Sequence, residues 1–261
     1  MGPVRVVERL RAAGCVYAEE EAALLVGSAA DAADLERMVA ARVAGTPVEQ
    51  VVGWADFGGL RVVVEPGVFV PRRRTTLLVR LAVERLAGPG PGAVVVDVCC
   101  GSGAVAAAVR AVRPDIEVHA ADLDPAAVAC ARRNLPAEVV HEGDLLAALP
   151  RHLLGRVDVV VANAPYVPTD EVALMPPEAR DHEHRVALDG GADGLDVQRR
   201  LAATVGPWLA PGASVVVETG RHQAERSADL LRGAGLAAVV VEDAEVEGCA
   251  VLATAGVTVA A

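Results

Sequence analysis

Where a run of valines ends, Asp97-Val98-Cys99-Cys100-Gly101-Ser102-Gly103 sets an acid ahead of a glycine turn. Glycines between a strand and a helix let the backbone approach a ligand closely, and the helix start that follows presents unpaired N–H groups. Glycine turns also serve plain α/β packing, so the turn alone is a weak signal. Asp122 sharpens it, because a carboxylate after the next strand is placed to accept hydrogen bonds from ribose hydroxyls. No G-x-G-x-x-G spacing for a pyrophosphate is present at this turn. Two acids without a phosphate cradle suit a cationic, phosphate-free nucleoside, namely S-adenosylmethionine. Asp124 is an alternative ribose acid, although Asp124-Pro125 reads better as an N-cap with Pro at the first helical position. Gly143-Asp144 offers a further carboxylate where an adenine amino group would lie, and reads equally well as an ordinary surface turn.

The most informative tetrapeptide is Asn163-Ala164-Pro165-Tyr166, which closes another valine-rich strand. An amide nitrogen is a poor nucleophile because its lone pair is delocalised into the carbonyl. A catalyst must hold both N–H bonds and leave the lone pair facing a methyl donor. The Asn163 side-chain oxygen can accept one N–H and the carbonyl of Ala164 the other. Pro165 forces residue 164 into an extended conformation, fixing that carbonyl's direction. Tyr166 gives a flat wall against which a planar amide lies. Methyl transfer would then be an in-line displacement driven by orientation and exclusion of water. The plain alternative is a strand-terminating turn, since Asn and Pro are common there.

The elements that must position these residues alternate. Strands are expected at 93–98, 117–121, 138–140, 157–162, 214–218, 237–241 and 250–254, with helices at 75–86, 104–112, 125–134, 195–205 and 223–232 among them. Such alternation predicts a mostly parallel sheet covered on both faces, with ligands outside the carboxyl ends of its strands. Ahead of it, apolar residues recurring at three and four predict three short amphipathic helices between Val4 and Ala44, with Asp31 capping the last. Val51, Val52 and Trp54, then Gly58-Gly59, then Leu60, Val62 and Val64 read as a strand, a turn and a strand. Trp54 and Trp208 are expected to anchor the core.

Composition narrows the classes. Of 261 residues 53% are hydrophobic but 2% aromatic, which argues against an aromatic platform for nucleic acid. The formal net charge of −11 repels phosphate backbones, so no stable nucleic-acid binding is expected. The bases are all Arg, and the absence of Lys excludes a lysine Schiff base. Apolar runs such as Val94–Val96 are of strand length, far below the ~20 residues of a spanning helix. Five cysteines without C-x-x-C spacing imply neither a disulfide framework nor a zinc site. Met1 to Leu10 lacks the apolar core of a signal peptide, so a cytoplasmic protein is expected; a monomer is expected as well. His182 and His184 are read as surface residues, and Arg72-Arg73-Arg74 as a solvated run.

Taken together, these residues resemble the protein-(glutamine-N5) methyltransferases of the HemK/PrmC family, which methylate the glutamine of the Gly-Gly-Gln motif in peptide chain release factors. The resemblance runs from Gly45-Thr46-Pro47-Val48-Glu49-Gln50 through Val70-Pro71-Arg72 with Thr75, the turn at Asp97 and the tetrapeptide, to Glu218-Thr219-Gly220 with Gln223. Its most specific part is Gly190-Gly191-Ala192-Asp193-Gly194-Leu195, which generic methyltransferases lack. It implies a class I methyltransferase fold: an α/β, Rossmann-like, seven-stranded sheet at residues 72–261, a helical substrate-docking domain at 1–46 and a β-hairpin linker at 47–71. It implies S-adenosylmethionine as cofactor, held by Asp97, Cys99, Gly101, Gly103, Asp122, Asp144 and Asn163. Asn163, Ala164, Pro165 and Tyr166 take the catalytic roles, and Asn163, Tyr166 and Glu183 contact the protein substrate, a release factor.

Three departures from the family pattern stand out: Ala164 for Pro, Cys99 for the first glycine of the turn, and Pro71-Arg72-Arg73-Arg74-Thr75-Thr76 for Pro-Arg-Pro-Glu-Thr-Glu. The last removes two acids beside the cleft and points to a divergent paralogue with another protein or small-molecule acceptor. An exocyclic-amine methyltransferase of nucleic acid is the competing enzyme class, and a non-catalytic binding protein the competing non-enzyme.

Overall fold

Short apolar repeats fold the start of the chain into α1 (Pro3–Ala12), α2 (Ala18–Ser28) and α3 (Ala32–Val43) in the computed structural model, which describes residues 3–88 and 90–256. Residues 1–2 and 257–261, the outer ends of the first and last expected domains, lie outside the described residues, as does Pro89. Asp31 caps α3 as expected, accepting from the amides of Ala33 and Asp34 at 2.9 and 2.8 Å. The three helices bury Val6, Leu10, Leu25, Met38 and Val39 against one another.

The expected strand at Val51 and Val52 is instead a helical turn, α4 (Val48–Val52), closed by Gly53 in the left-handed region. Val48, Val51 and Val52 recur at three and four and pack on the helical cluster, so tertiary contact overrides their β-propensity. The hairpin proper is β1 (Trp54–Phe57) with β2 (Leu60–Val63). Its Phe57 and Val62 join the core of the large sheet. Trp54 is no core anchor, because it is half-buried with the Arg61 guanidinium 3.8 Å over its ring. Trp208 packs, partly buried, on the sheet's other face.

After α5 (Thr76–Arg85) come β3 (Val94–Val98), α6 (Ala104–Val112), β4 (Glu117–Asp122), α7 (Pro125–Asn134), β5 (Val140–Glu142) and β6 (Val157–Ala162). Then follow α8 (Pro177–His182), α9 (Asp196–Val205), β7 (Leu209–Glu218), α10 (Ala224–Gly233), β8 (Ala237–Asp243) and β9 (Gly248–Thr254). Of the strand expected at 138–140, Glu138 and Val139 instead belong to a 3-10 turn, Ala137–Val139, that follows Pro136 and displaces β5 toward the carboxyl side.

The seven strands lie in the order β5-β4-β3-β6-β7-β9-β8, parallel except where β9 runs antiparallel between β7 and β8. Valines fill both faces. Val95, Val159, Val161 and Val216 lie in one apolar cluster, and Val94, Val96, Val160 and Val215 in the other. Burial of this kind contributes about 1.5–3 kcal/mol per large side chain.

Register then decides where the site lies. Val98 is paired with Ala121 on one side and Ala162 on the other, and Ala162 with Val217. One residue further along each chain, Cys99, Asp122, Asn163 and Glu218 emerge in a single row at the carboxyl edge. The order of strands reverses between β3 and β6, the crevice where such sheets bind ligands.

Candidate functional site

A cleft of about 280 Å³ opens over this row. Asp97, Cys99, Gly101, Asp122, Asp144, Asn163, Ala164, Pro165 and Tyr166 all line it. Asp97 is 2% exposed, and one carboxylate oxygen accepts from the Ala106 amide, in the first turn of α6, at 3.1 Å. Asp122 receives the Gly101 amide at 2.8 Å on one oxygen and the Asp124 amide at 2.9 Å on the other. A carboxylate has about four acceptor positions, so each Asp122 oxygen keeps room for one more donor.

Burial pushes the Asp97 carboxyl up to about 7, the Ala106 amide opposing the rise and the Asp122 charge adding to it. Burial raises Asp122 as well, against the amides of Asp124 and Gly101. Among the described residues neither acid has an ion-pair partner. A buried and a part-buried acid without a cation fit a ligand bearing its own positive centre and hydroxyl donors, and reject a phosphate.

The same burial has a stability consequence. An Asp97 carboxyl raised to about 7 from an ordinary 3.8 favours the folded state below pH 4 and withdraws that stability as pH rises toward 7. Asp97→Asn is therefore expected to gain on the wild type between pH 4 and 7, by at most ~4 kcal/mol, with a flat difference above. Urea unfolding of both proteins across this range measures the gap. A gap independent of pH would sink the assignment.

Cys99 takes φ +56°, the left-handed conformation that a glycine supplies without strain. The turn thus keeps its shape at a cost of ~1–2 kcal/mol. Gly103 does not line the cleft. A Cβ there would stand 3.0 Å from Leu135 Cδ1 and 3.3 Å from Ala131 Cβ, so this glycine serves close packing of the turn on α7. Asp144 lies at the cleft with its carboxylate ion-paired to Arg200, and both are half-exposed.

At the end of β6, Asn163 donates its side-chain NH2 to Thr75 Oγ1 at 3.5 Å. With the NH2 on the Thr75 side, the amide oxygen is left for an incoming donor. The Tyr166 carbonyl accepts from Gln223 at 3.0 Å. The Tyr166 hydroxyl accepts from Arg74 at 3.0 Å and lies 3.4 Å from the Glu218 carboxylate, and burial raises its pKa.

Glu183 is not at the cleft. It is 4% exposed, and one oxygen accepts from the Val70 amide at 3.1 Å and from Arg72 at 2.6 Å. Burial raises its pKa, with Arg72 opposing. It fastens the 165–187 loop to the segment before α5, where Gly67 and Glu183 form a parallel bridge. Nor is the Arg run wholly solvated: Arg72 turns to Glu183 and Arg74 to Glu218, while Arg73 stays exposed. Asp124 caps α7 through the Ala126 amide at 2.9 Å, and its other oxygen holds His184 Nδ1 at 2.5 Å. His184 is thereby a loop fastener rather than a plain surface residue.

Sequence reasoning missed roles for Thr75, Arg74 and Glu218. Glu218 carried a usable signal, an acid closing the valine run 215–217 just as Asp97 follows Val94–Val96. Arg74 carried none.

A family model described as "Methyltransferase small domain" matches residues 59–175. A release factor glutamine methyltransferase from Streptomyces coelicolor is 43% identical over 184 residues, covering 69% of this chain and 65% of that protein. The chain thus spans just under two thirds of that relative's length. One of the same name from Cereibacter sphaeroides is 38% identical over 216 residues, covering 80% of this chain and 74% of that protein. Among solved structures, a methyltransferase from Pyrococcus furiosus superposes with a TM-score of 0.54 at 16% identity, covering 76% of this chain and 90% of that one, a likeness of fold.

Proposed function

Because the chain belongs to the family of release factor glutamine methyltransferases, we propose that it transfers a methyl group from S-adenosylmethionine to the side-chain amide nitrogen of a glutamine in a peptide chain release factor. The observation that carries this reading is the row Asp122, Cys99, Asn163, Glu218. It sets acids that suit a cationic nucleoside beside an amide oxygen left free to take a substrate N–H.

In this reading Asp122 would hold the ribose hydroxyls, and Asp97 with the backbone at Cys99 to Gly101 would hold the rest of the cofactor. The cofactor, when bound, would supply a methyl on a sulfonium, the C–S bond breaking as the N–C bond forms to leave a neutral thioether, while the amide nitrogen gives up one proton to solvent. The chain's own contribution is orientation. Asn163 Oδ1 and the Ala164 carbonyl accept the two N–H bonds of the glutamine amide, turning its lone pair toward the methyl. Tyr166 closes one side and keeps water out. Ala164 acts through its backbone, so the loss of proline at this position leaves the acceptor in place. The helices within residues 1–46 would dock the protein substrate, with 47–71 joining them to the catalytic unit. Arg42, 4% exposed, ties α3 to the 165–187 loop through Glu178. The reading takes the protein as a cytoplasmic monomer.

Methyl transfer from labelled S-adenosylmethionine to a purified release factor tests the proposal, run beside a copy whose Gly-Gly-Gln glutamine is replaced by Ala. Incorporation into the first and not the second is expected. Equal incorporation into both, or none into either, would overturn it.

A further inference from the structure

We propose that Arg74 is a positioning residue for the acceptor wall, holding the Tyr166 ring by bridging its hydroxyl to the buried Glu218 carboxylate. The inference rests on the reaction proposed above for the use it gives that wall.

Arg74 sits in the single 3-10 turn Arg73–Thr75, which sends the Arg74 side chain inward while Arg73 faces solvent. Its Nε donates to Glu218 Oε1 at 3.1 Å and its Nη2 to the Tyr166 hydroxyl at 3.0 Å. The hydroxyl in turn lies within 3.4 Å of the same Glu218 oxygen, so the three groups close a ring. A guanidinium is a rigid fork, and two of its donors reaching two partners fix the separation between them.

Each member explains another. The Glu218 side chain is 3% exposed, and its Oε2 has no hydrogen bond among the described residues. A carboxylate so buried needs a counter-charge, which Arg74 supplies. Charge balance alone, however, does not require a phenol. Tyr166 lines the main cleft and also a second recess bounded by Arg74, Thr219, Gly220, Arg221, Glu247 and Cys249. For a residue that borders both recesses, the hydroxyl bonds to Arg74 and Glu218 are the contacts that can set the plane of the ring.

The chain has two tyrosines, Tyr17 and Tyr166, so incorporation of 3-fluorotyrosine gives two fluorine resonances, with exposed Tyr17 as internal control. Arg74→Met is expected to displace the Tyr166 resonance and leave that of Tyr17. It should also lower the thermal midpoint and reduce kcat by about tenfold, the worth of one hydrogen bond to a charged group, at unchanged KM for S-adenosylmethionine. Arg74→Met with Glu218→Gln removes both charges. Here the midpoint should recover, while the displaced resonance and the low kcat persist. Arg74→Lys keeps the charge without the fork and should keep the midpoint but not the resonance.

Recovery of both the wild-type resonance and kcat in the double variant would reduce Arg74 to a counter-charge and overturn the proposal. So would a Tyr166 resonance unmoved by Arg74→Lys and by the double variant. If the wild type methylates no glutamine while the resonance responds as expected, the proposed reaction falls and the positioning role stands.

Discussion

Asn163→Ala is expected to lower methyl transfer by about a hundred- to a thousand-fold, the range for removing one preorganised polar contact at a reacting centre. Affinity for S-adenosylmethionine should be nearly unchanged. The two effects separate because Asn163 emerges from β6 beside Thr75, while the acids proposed to hold the cofactor emerge from β3 and β4. Its side chain touches Thr75 and neither Asp97 nor Asp122 in the hydrogen-bond network. Truncation leaves Thr75, 2% exposed, without that donor, a small stability cost of ~1 kcal/mol. Calorimetric titration of the cofactor, together with single-turnover transfer to the release factor, measures both arms. Loss of cofactor binding in parallel with turnover would show that Asn163 belongs to the cofactor's half of the site. Asn163→Asp is an instructive companion, since it keeps an acceptor, adds a charge that attracts the sulfonium, and reverses the bond to Thr75, whose hydroxyl would then donate.

Valine runs in the sequence told where the strands lie because a fully buried parallel strand has no polar face to interrupt it. Once the strands are known, residues immediately past them are candidates by topology, which is how Asp97, Asp122 and Asn163 came to be expected in one place. The exact row needed register, which the sequence does not carry: pairing of Val98 with Ala121 and Ala162 is a property of the assembled sheet.

The misreadings share a cause. Glu183, in a polar, proline-rich loop, is expected from the resemblance to contact substrate, and only the bridge from Gly67 to Glu183 shows it buried under Arg72. Arg74 sits among three like charges that read as a solvated run, yet a 3-10 turn gives consecutive residues different faces. Val51 and Val52 favour a strand by type and become helical because α2 and α3 offer them an apolar surface. In each case a partner distant in sequence decided between two locally acceptable readings. Gly103 is a different case: its φ of +73° and the approach of Leu135 give the glycine a packing reason that only the assembled fold shows.

Asp122→Asn is expected to weaken S-adenosylmethionine binding by about a hundredfold or more, at ~1.5–3 kcal/mol for each hydrogen bond to a charged group. The carboxylate already spends one acceptor position per oxygen on the amides of Gly101 and Asp124. What it offers a ribose is the remaining position on each. An amide in its place keeps one acceptor oxygen with two positions, so at most two of the four relationships survive, and the NH2 is forced toward the Gly101 or the Asp124 N–H. The variant therefore loses a ribose contact and disturbs the glycine turn together. Asp122→Glu distinguishes the two losses, because it keeps a charged acceptor but moves it outward by a methylene. If the ribose contact dominates, part of the affinity returns with Glu; if the turn dominates, none does. An unchanged dissociation constant in Asp122→Asn, with the fold intact by circular dichroism, would remove Asp122 from the cofactor site. The ribose acid would then be Asp124, whose second oxygen is already engaged by His184 and would have to release it.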